Sequence, residues 1–130
     1  MLVYSPKLDG YFYTPQSQKE DGIEKPFRVK LRLLTVEETA ELQDLLVTRT
    51  ATEVKSNYGI YFVQACYKGI TDWENMEEAE GKPLAMSKTA LGRINTDSLN
   101  MIPYSMIEEI GTVIVSVSEN PKNISVFADK

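Results

Sequence analysis

The chain holds no histidine and a single cysteine, Cys66, and that inventory limits its chemistry before any fold is considered. Zinc sites draw on sets of Cys and His ligands. One thiol without an imidazole cannot build one, which leaves only a carboxylate site for a hard cation. The acidic stretch Asp72-Trp73-Glu74-Asn75, with Glu77 and Glu78, lacks the spaced ligands and mid-loop glycine of a calcium loop. It reads as a solvated acidic connection. A nucleophilic Cys66 would need a base or cation to hold it as thiolate. Its flanks, Gln64, Ala65 and Tyr67, supply neither, and a free cysteine among apolar residues behaves as a small hydrophobe. Gly59, Gly69, Gly81, Gly92 and Gly111 stand singly, and none follows a strand as a phosphate-cradling loop requires. Acidic residues are plentiful, but acid–base catalysis needs two of them in one cleft, and their spacing does not place them so. No catalytic residue, metal ligand or cofactor is assigned, and the chain is expected not to be an enzyme.

Two groups of residues could instead recognise a partner. Arg28, Lys30 and Arg32 alternate with Phe27, Val29, Leu31 and Leu33. Period two puts the cations on one face of a strand and the apolar side chains on the other. The row is either a docking face for an acidic partner or the solvated face of an edge strand, where cations discourage edge pairing. Tyr11, Phe12 and Tyr13, with Tyr4, form the second group. Aromatic residues are enriched in interface cores, yet a small hairpin also needs aromatic cover. Both readings stay open for each group.

These residues need elements to position them. Residues 11–14 and 27–33 read as the strands of a hairpin, joined by a mobile loop over 15–26 that Pro15, Gly22 and Pro26 punctuate. Thr35-Val36-Glu37-Glu38 is a capping box, predicting a helix over about 36–48. Leu42, Leu45 and Leu46 share its apolar side, which Val36, Ala40 and Val47 widen. Thr50 to Glu53 resembles a second box, and Val54 to Tyr67 is apolar on most sides, as a central helix is. A strand over 60–66 is the alternative there, given its β-branched and aromatic content. Residues 69–86 read as an irregular connection that plugs Trp73 into the core. Ser87 is expected to cap a short helix through Ile94. Pro103 suits the start of a last helix, where Met106, Ile107, Ile110, Val113, Ile114 and Val117 keep helical phase until Asn120-Pro121 stops it. The expectation is an α+β fold, an N-terminal β-hairpin followed by a mostly α-helical body of about four helices. Residues 1–26 form an N-terminal arm, 27–120 a single globular core and 121–130 a loose tail.

Bulk properties narrow the setting. A chain of 130 residues fits one domain, with 42% hydrophobic and 25% charged residues, an ordinary globular balance. Its net charge of −5 argues against a nucleic-acid binder and against docking on an anionic membrane. No apolar run is long enough to span a bilayer, and Met1 to Gly10 shows no signal peptide. One cysteine excludes an internal disulfide, which fits a reducing cytoplasm.

The order of features resembles the tail assembly chaperones of long-tailed bacteriophages. The resemblance spans roughly residues 25–120. It rests on the basic strand running into Leu34-Thr35-Val36-Glu37-Glu38, the apolar helix, the Trp73 connection with Gly81-Lys82-Pro83-Leu84, and above all Ile102-Pro103-Tyr104-Ser105-Met106-Ile107-Glu108-Glu109-Ile110. It implies a non-catalytic protein of the bacterial host cytoplasm, absent from the finished virion. Such a protein binds the tape measure protein, keeps its hydrophobic helices soluble and helps recruit tail tube protein subunits. A homo-oligomer with exposed apolar surface is expected. A structural or adaptor component of a phage particle, in tail or head completion, is the alternative. The surfaces to test first are Arg28, Lys30 and Arg32, then whichever of Tyr11, Phe12 and Tyr13 are exposed.

Overall fold

The alternation around Val29 becomes strand β2 (Arg28–Leu31) in the computed structural model of the chain, which describes residues 10–20, 22–49, 54–79 and 81–129. Val29 and Leu31 are fully buried, while Arg28 and Lys30 lie half-buried on the opposite face. Strand β1 (Tyr11–Tyr13) pairs antiparallel with β2, setting Tyr11 opposite Leu31 and Tyr13 opposite Val29. That is the expected hairpin. Its connection, expected as a mobile loop, carries a 3-10 turn over Gln16–Lys19, and Gln18 accepts the Phe27 N–H through its side chain at 3.1 Å.

A third strand corrects the sequence reading. Ile70–Glu74, expected within an irregular connection, is a strand pairing antiparallel with the other side of β2, with Trp73 opposite Val29 and Glu74 opposite Arg28. The basic strand is therefore the centre of the sheet and not its edge. The physical reason for the miss is visible in the register. Ile70 and Trp73 are both buried but three residues apart, which breaks strict alternation; a register shift between Lys30 and Leu31 absorbs the odd residue. Trp73 does plug the core, and its indole N–H donates to the Leu84 carbonyl at 2.8 Å.

Helix α1 (Val36–Leu46) starts as read: the Thr35 hydroxyl accepts from the Glu38 N–H, and the Glu38 carboxylate accepts from the Thr35 N–H. Its buried face is narrower than expected. Leu42 is fully buried, Leu45 is exposed, and Val36 stands 86% exposed at the first turn. The helix also stops short of 48, because Val47–Arg49 (β3) turns out to pair with Val54–Ser56 (β4). Both strands carry valines, which favour extended backbone. The next helix, α2 (Tyr58–Gly69), consequently starts at Tyr58 and not at Val54. The capping box read at Thr50–Glu53 lies outside the described residues. Residues 60–66 are helical, so the strand alternative for them falls.

Helix α2 runs into the strand Ile70–Glu74, β5, without an intervening loop. After β5 the chain makes a small exposed ribbon, β6 (Glu77–Ala79) with β7 (Lys82–Pro83). The helix expected over 87–94 does not form. Lys88 and Ile94 pair as an isolated bridge around a turn in which Gly92 takes φ +76°, a left-handed conformation no helix interior contains. The short helix follows instead as α3 (Thr96–Leu99), where the Asn95 side chain accepts the Ser98 N–H at 3.1 Å.

Helix α4 (Tyr104–Glu119) follows Pro103 and buries Ile107, Ile110, Val113, Ile114 and Val117. Thr112 to Val117 is rich in β-branched residues, which favour strand locally, yet the stretch is helical because the apolar positions keep helical phase. The helix packs closely on α2: a Cβ added at Gly111 would stand 3.1 Å from the Phe62 backbone, and one at Gly69 would stand 2.7 Å from Ile114. Residues 121–129 are not the loose tail expected of them. A 3-10 turn at Pro121–Asn123 and a helical turn, α5 (Ile124–Phe127), fold the chain back towards β1. Asn123 pins the turn by donating to the Ser116 carbonyl and hydroxyl, both at 3.0 Å.

Candidate partner-binding surfaces

Sheet register brings the basic row together with acidic residues. On the outward face, Phe12 and Asp72 flank Lys30, and Glu74 faces Arg28. Arg28 Nε donates to Glu74 Oε2 at 2.7 Å, its guanidinium lies 4.0 Å from the Phe12 ring centroid, and its Nη1 stands 3.9 Å from Asp129 Oδ2. Asp72 in turn meets Lys88 at 3.5 Å. Arg32 grips Glu38 with both terminal nitrogens and donates through Nε to the Lys68 carbonyl at 2.7 Å. Arg93 reaches the same carboxylate at 3.5 Å. Burial by itself would raise the Glu38 carboxyl. The hydrogen bonds from Arg32 and the Thr35 N–H, with the charges of Arg32 and Arg93, outweigh it and hold the carboxyl down at about 2. Arg28 and Arg32 are thus engaged with the chain's own carboxylates, and the face presents alternating charge in place of a continuous basic stripe.

The aromatic run divides by face. Tyr11 and Tyr13 are buried on the core side, and only Phe12 is partly accessible. The Tyr13 hydroxyl donates to the Glu109 carboxylate, which also accepts the Gln16 N–H at 2.9 Å, so the hairpin is tied to α4. Burial first, then the Glu109 carboxylate, push the Tyr13 phenol well above its ordinary range. The Tyr11 hydroxyl is buried and has no hydrogen-bond partner among the described residues. Burial alone pushes its phenol up.

A second surface lies where the sequence pointed only to core. At the start of α2, Tyr58 is 55% and Ile60 56% exposed, and Tyr104 at the start of α4 is 52% exposed. The three belong to one end of the α2–α4 pair, because the Tyr104 hydroxyl lies 3.3 Å from where a Cβ on Gly59 would be. Tyr58 stacks on Phe62 with ring centroids 6.0 Å apart and meets Tyr61 edge-on at 6.4 Å. The signal was present in the sequence. A helix apolar on most of its sides in a small domain carries more apolar surface than its neighbours can cover, and the excess emerges at the uncovered end.

Cys66 sits where a core residue belongs. It is fully buried, its thiol contacts the Ile107 carbonyl at 3.5 Å, and burial pushes that thiol up, away from thiolate. Among the described residues no group of three or more His, Cys, Asp or Glu side chains is placed to hold a metal ion. No helix among them is long and apolar enough to cross a membrane. Comparison with protein-family models, curated proteins and solved structures finds no match to the chain.

Proposed function

We propose that the chain works by binding, as a phage tail assembly chaperone that holds apolar helices of the tape measure protein in the host cytoplasm and helps recruit tail tube subunits. The observation that supports this reading best is the exposed apolar end of α2 and α4, formed by Tyr58, Ile60 and Tyr104. Tyr104 lies beside Gly59 next to Tyr58, while Ile60, two positions on, opens to water on another side of the same helix end. Large apolar side chains open to water suit a partner. Aromatic rings give a helix-binding surface much contact area at small cost in side-chain freedom. The overall negative charge keeps such a protein in solution while it carries an apolar cargo. On this reading the chain performs no chemistry of its own and self-associates through the same surface.

Co-expression with the product of the next gene downstream, a long helix-rich chain if the reading holds, is the direct test. The partner's soluble fraction is expected to rise with the unaltered chain. It is expected to fall back with Tyr58→Ser, Ile60→Ser and Tyr104→Ser combined, in a chain that still shows the native circular dichroism spectrum and a cooperative thermal transition. A partner whose solubility ignores the unaltered chain removes the chaperone reading. Recovery of the protein from purified particles replaces it with a structural role.

A further inference from the structure

Segment 121–129 does more than follow α4. Its last described residue, Asp129, donates its backbone N–H to the Phe12 carbonyl at 2.7 Å. That carbonyl belongs to the outer edge of β1, so the bond runs where a fourth strand would bond. The Asp129 carboxylate accepts from the Thr14 N–H at 3.2 Å and from the Thr14 hydroxyl at 2.6 Å, and it stands 3.9 Å from Arg28 Nη1. Thr14 is buried beneath it. Two residues earlier, the half-buried Phe127 shares an open recess with Tyr13, Phe62, Thr112 and Val113. The segment itself is thin. α5 is a single helical turn with no fully buried residue, and Val126 is largely exposed.

We propose that the outer edge of β1 is a peptide-recognition site for a segment of the pattern aromatic, small, acidic that leaves a helical turn at its aromatic residue, and that residues 127–129 occupy it as a built-in competitor. The site supplies each element of that pattern separately. The Phe12 carbonyl takes a backbone N–H, as in strand addition. Thr14 offers two donors to one carboxylate with a guanidinium nearby, a charge-assisted arrangement. The Phe127 ring packs against the core and forms one wall of the recess between β1 and α4. A partner segment must displace residues that a short tether holds at high effective concentration, so its apparent affinity is lowered by the fraction of chains with the site open. This inference goes beyond the chaperone reading and stands without it.

The test uses the full chain carrying Phe127→Ala and Asp129→Ala, which removes the side-chain contacts of the built-in segment, and a terminally blocked peptide of the 124–130 sequence as probe. Amide resonances are followed by NMR during titration. Saturable shifts at the Thr14 amide are expected in the altered chain. The unaltered chain, with its site filled, is expected to bind the same peptide at least about tenfold more weakly. A peptide carrying Asp129→Ala is expected to lose about tenfold in affinity for the altered chain. If the double variant does not keep the native spectrum, Asp129→Ala alone replaces it, leaving α5 packing in place. No saturable shift at Thr14 in a folded variant overturns the proposal. So does equal affinity for altered and unaltered chains, or equal binding of the alanine peptide. If neither variant folds, residues 121–129 are an integral part of the fold and the proposal also fails.

Discussion

Two tyrosines two residues apart on one strand face illustrate how differently a hydroxyl can be used. The Tyr13 hydroxyl is satisfied by Glu109, whereas the Tyr11 hydroxyl is buried without a partner among the described residues. A buried polar group without a hydrogen bond costs roughly 1–3 kcal/mol, and a made bond contributes about 1 kcal/mol net. Tyr11→Phe is therefore expected to leave stability unchanged or raise it by up to about 1 kcal/mol. Tyr13→Phe is expected to lower it by about 1–2 kcal/mol, since it also strips a donor from Glu109. Urea unfolding of both variants decides the matter; a larger loss from Tyr11→Phe than from Tyr13→Phe would contradict it. Neither fate could be read from the sequence. The register of β1 on β2 sets both tyrosines on the core face, which the sequence left open, and Glu109 comes from a helix 96 positions away. Nothing in the local pattern announces such a partner.

At the scale of elements, Glu38 joins the end of β2, the start of α1 and the turn before α3 through Arg32, Thr35 and Arg93. Its carboxyl is held at about 2 against an ordinary 4.5. A carboxyl depressed on folding adds stability above its unfolded value, and that stability drains away as pH falls through the folded one. Between pH 4.5 and 2 the chain is thus expected to lose up to about 3 kcal/mol from this group. Glu38→Gln is expected to flatten that part of the stability–pH curve, measured by thermal unfolding at stepped pH. An unchanged slope counts against the assignment.

The close α2–α4 contact gives a second expectation at this scale. Alanine is the better helix former than glycine by about 1 kcal/mol. Yet Gly111→Ala puts a methyl 3.1 Å from the Phe62 backbone, which cannot swing aside as a side chain end can. A net loss of about 1–3 kcal/mol is expected in chemical unfolding; a gain in stability would show that the helices separate freely. Elements with strong local signals, the alternating β2 and the boxed α1, were legible from residue order. β5 was not, because a bulge hid its period, and neither were β3 and β4, whose pairing ended one helix early and started the next one late. Glycine at 92 defeated the helix expected over 87–94.

For the whole molecule, the hydrophobic cluster runs from Tyr11 in β1 to Val117 in α4, with Ile124 and Phe127 packed against it. Part of the apolar excess appears at one end, around Tyr58, Ile60 and Tyr104, while Val36, Leu91 and Val126 are exposed singly elsewhere. A hydrophobic dye is expected to bind the native protein there, and the triple serine variant is expected to lose most of that fluorescence without unfolding. Fluorescence that survives in the folded variant would place the accessible apolar surface elsewhere. The candidate site was legible only as a surplus of apolar residues in α2. Which of them faced outward depended on how α4 and α1 came to lie against it. The basic row was legible as a face, but its internal pairing was not, because Glu74 and Asp129 join it from distant parts of the chain.

The central place of β2 has a consequence in time. Its two neighbours in the sheet are reached across very different lengths of chain: β1 precedes it by one loop, while β5 arrives only after α1, the β3–β4 ribbon and α2. Closing the longer path costs more entropy, growing slowly with length. The hairpin is therefore expected to form first, as a two-stranded ribbon that on its own is marginal in water. Folding commits only when α2 delivers Ile70 and Trp73 to the far side of β2. Conservative truncations in β1 are then expected to slow folding with little change in unfolding, and those in β5 to change both rates, as read from the two arms of a chevron plot.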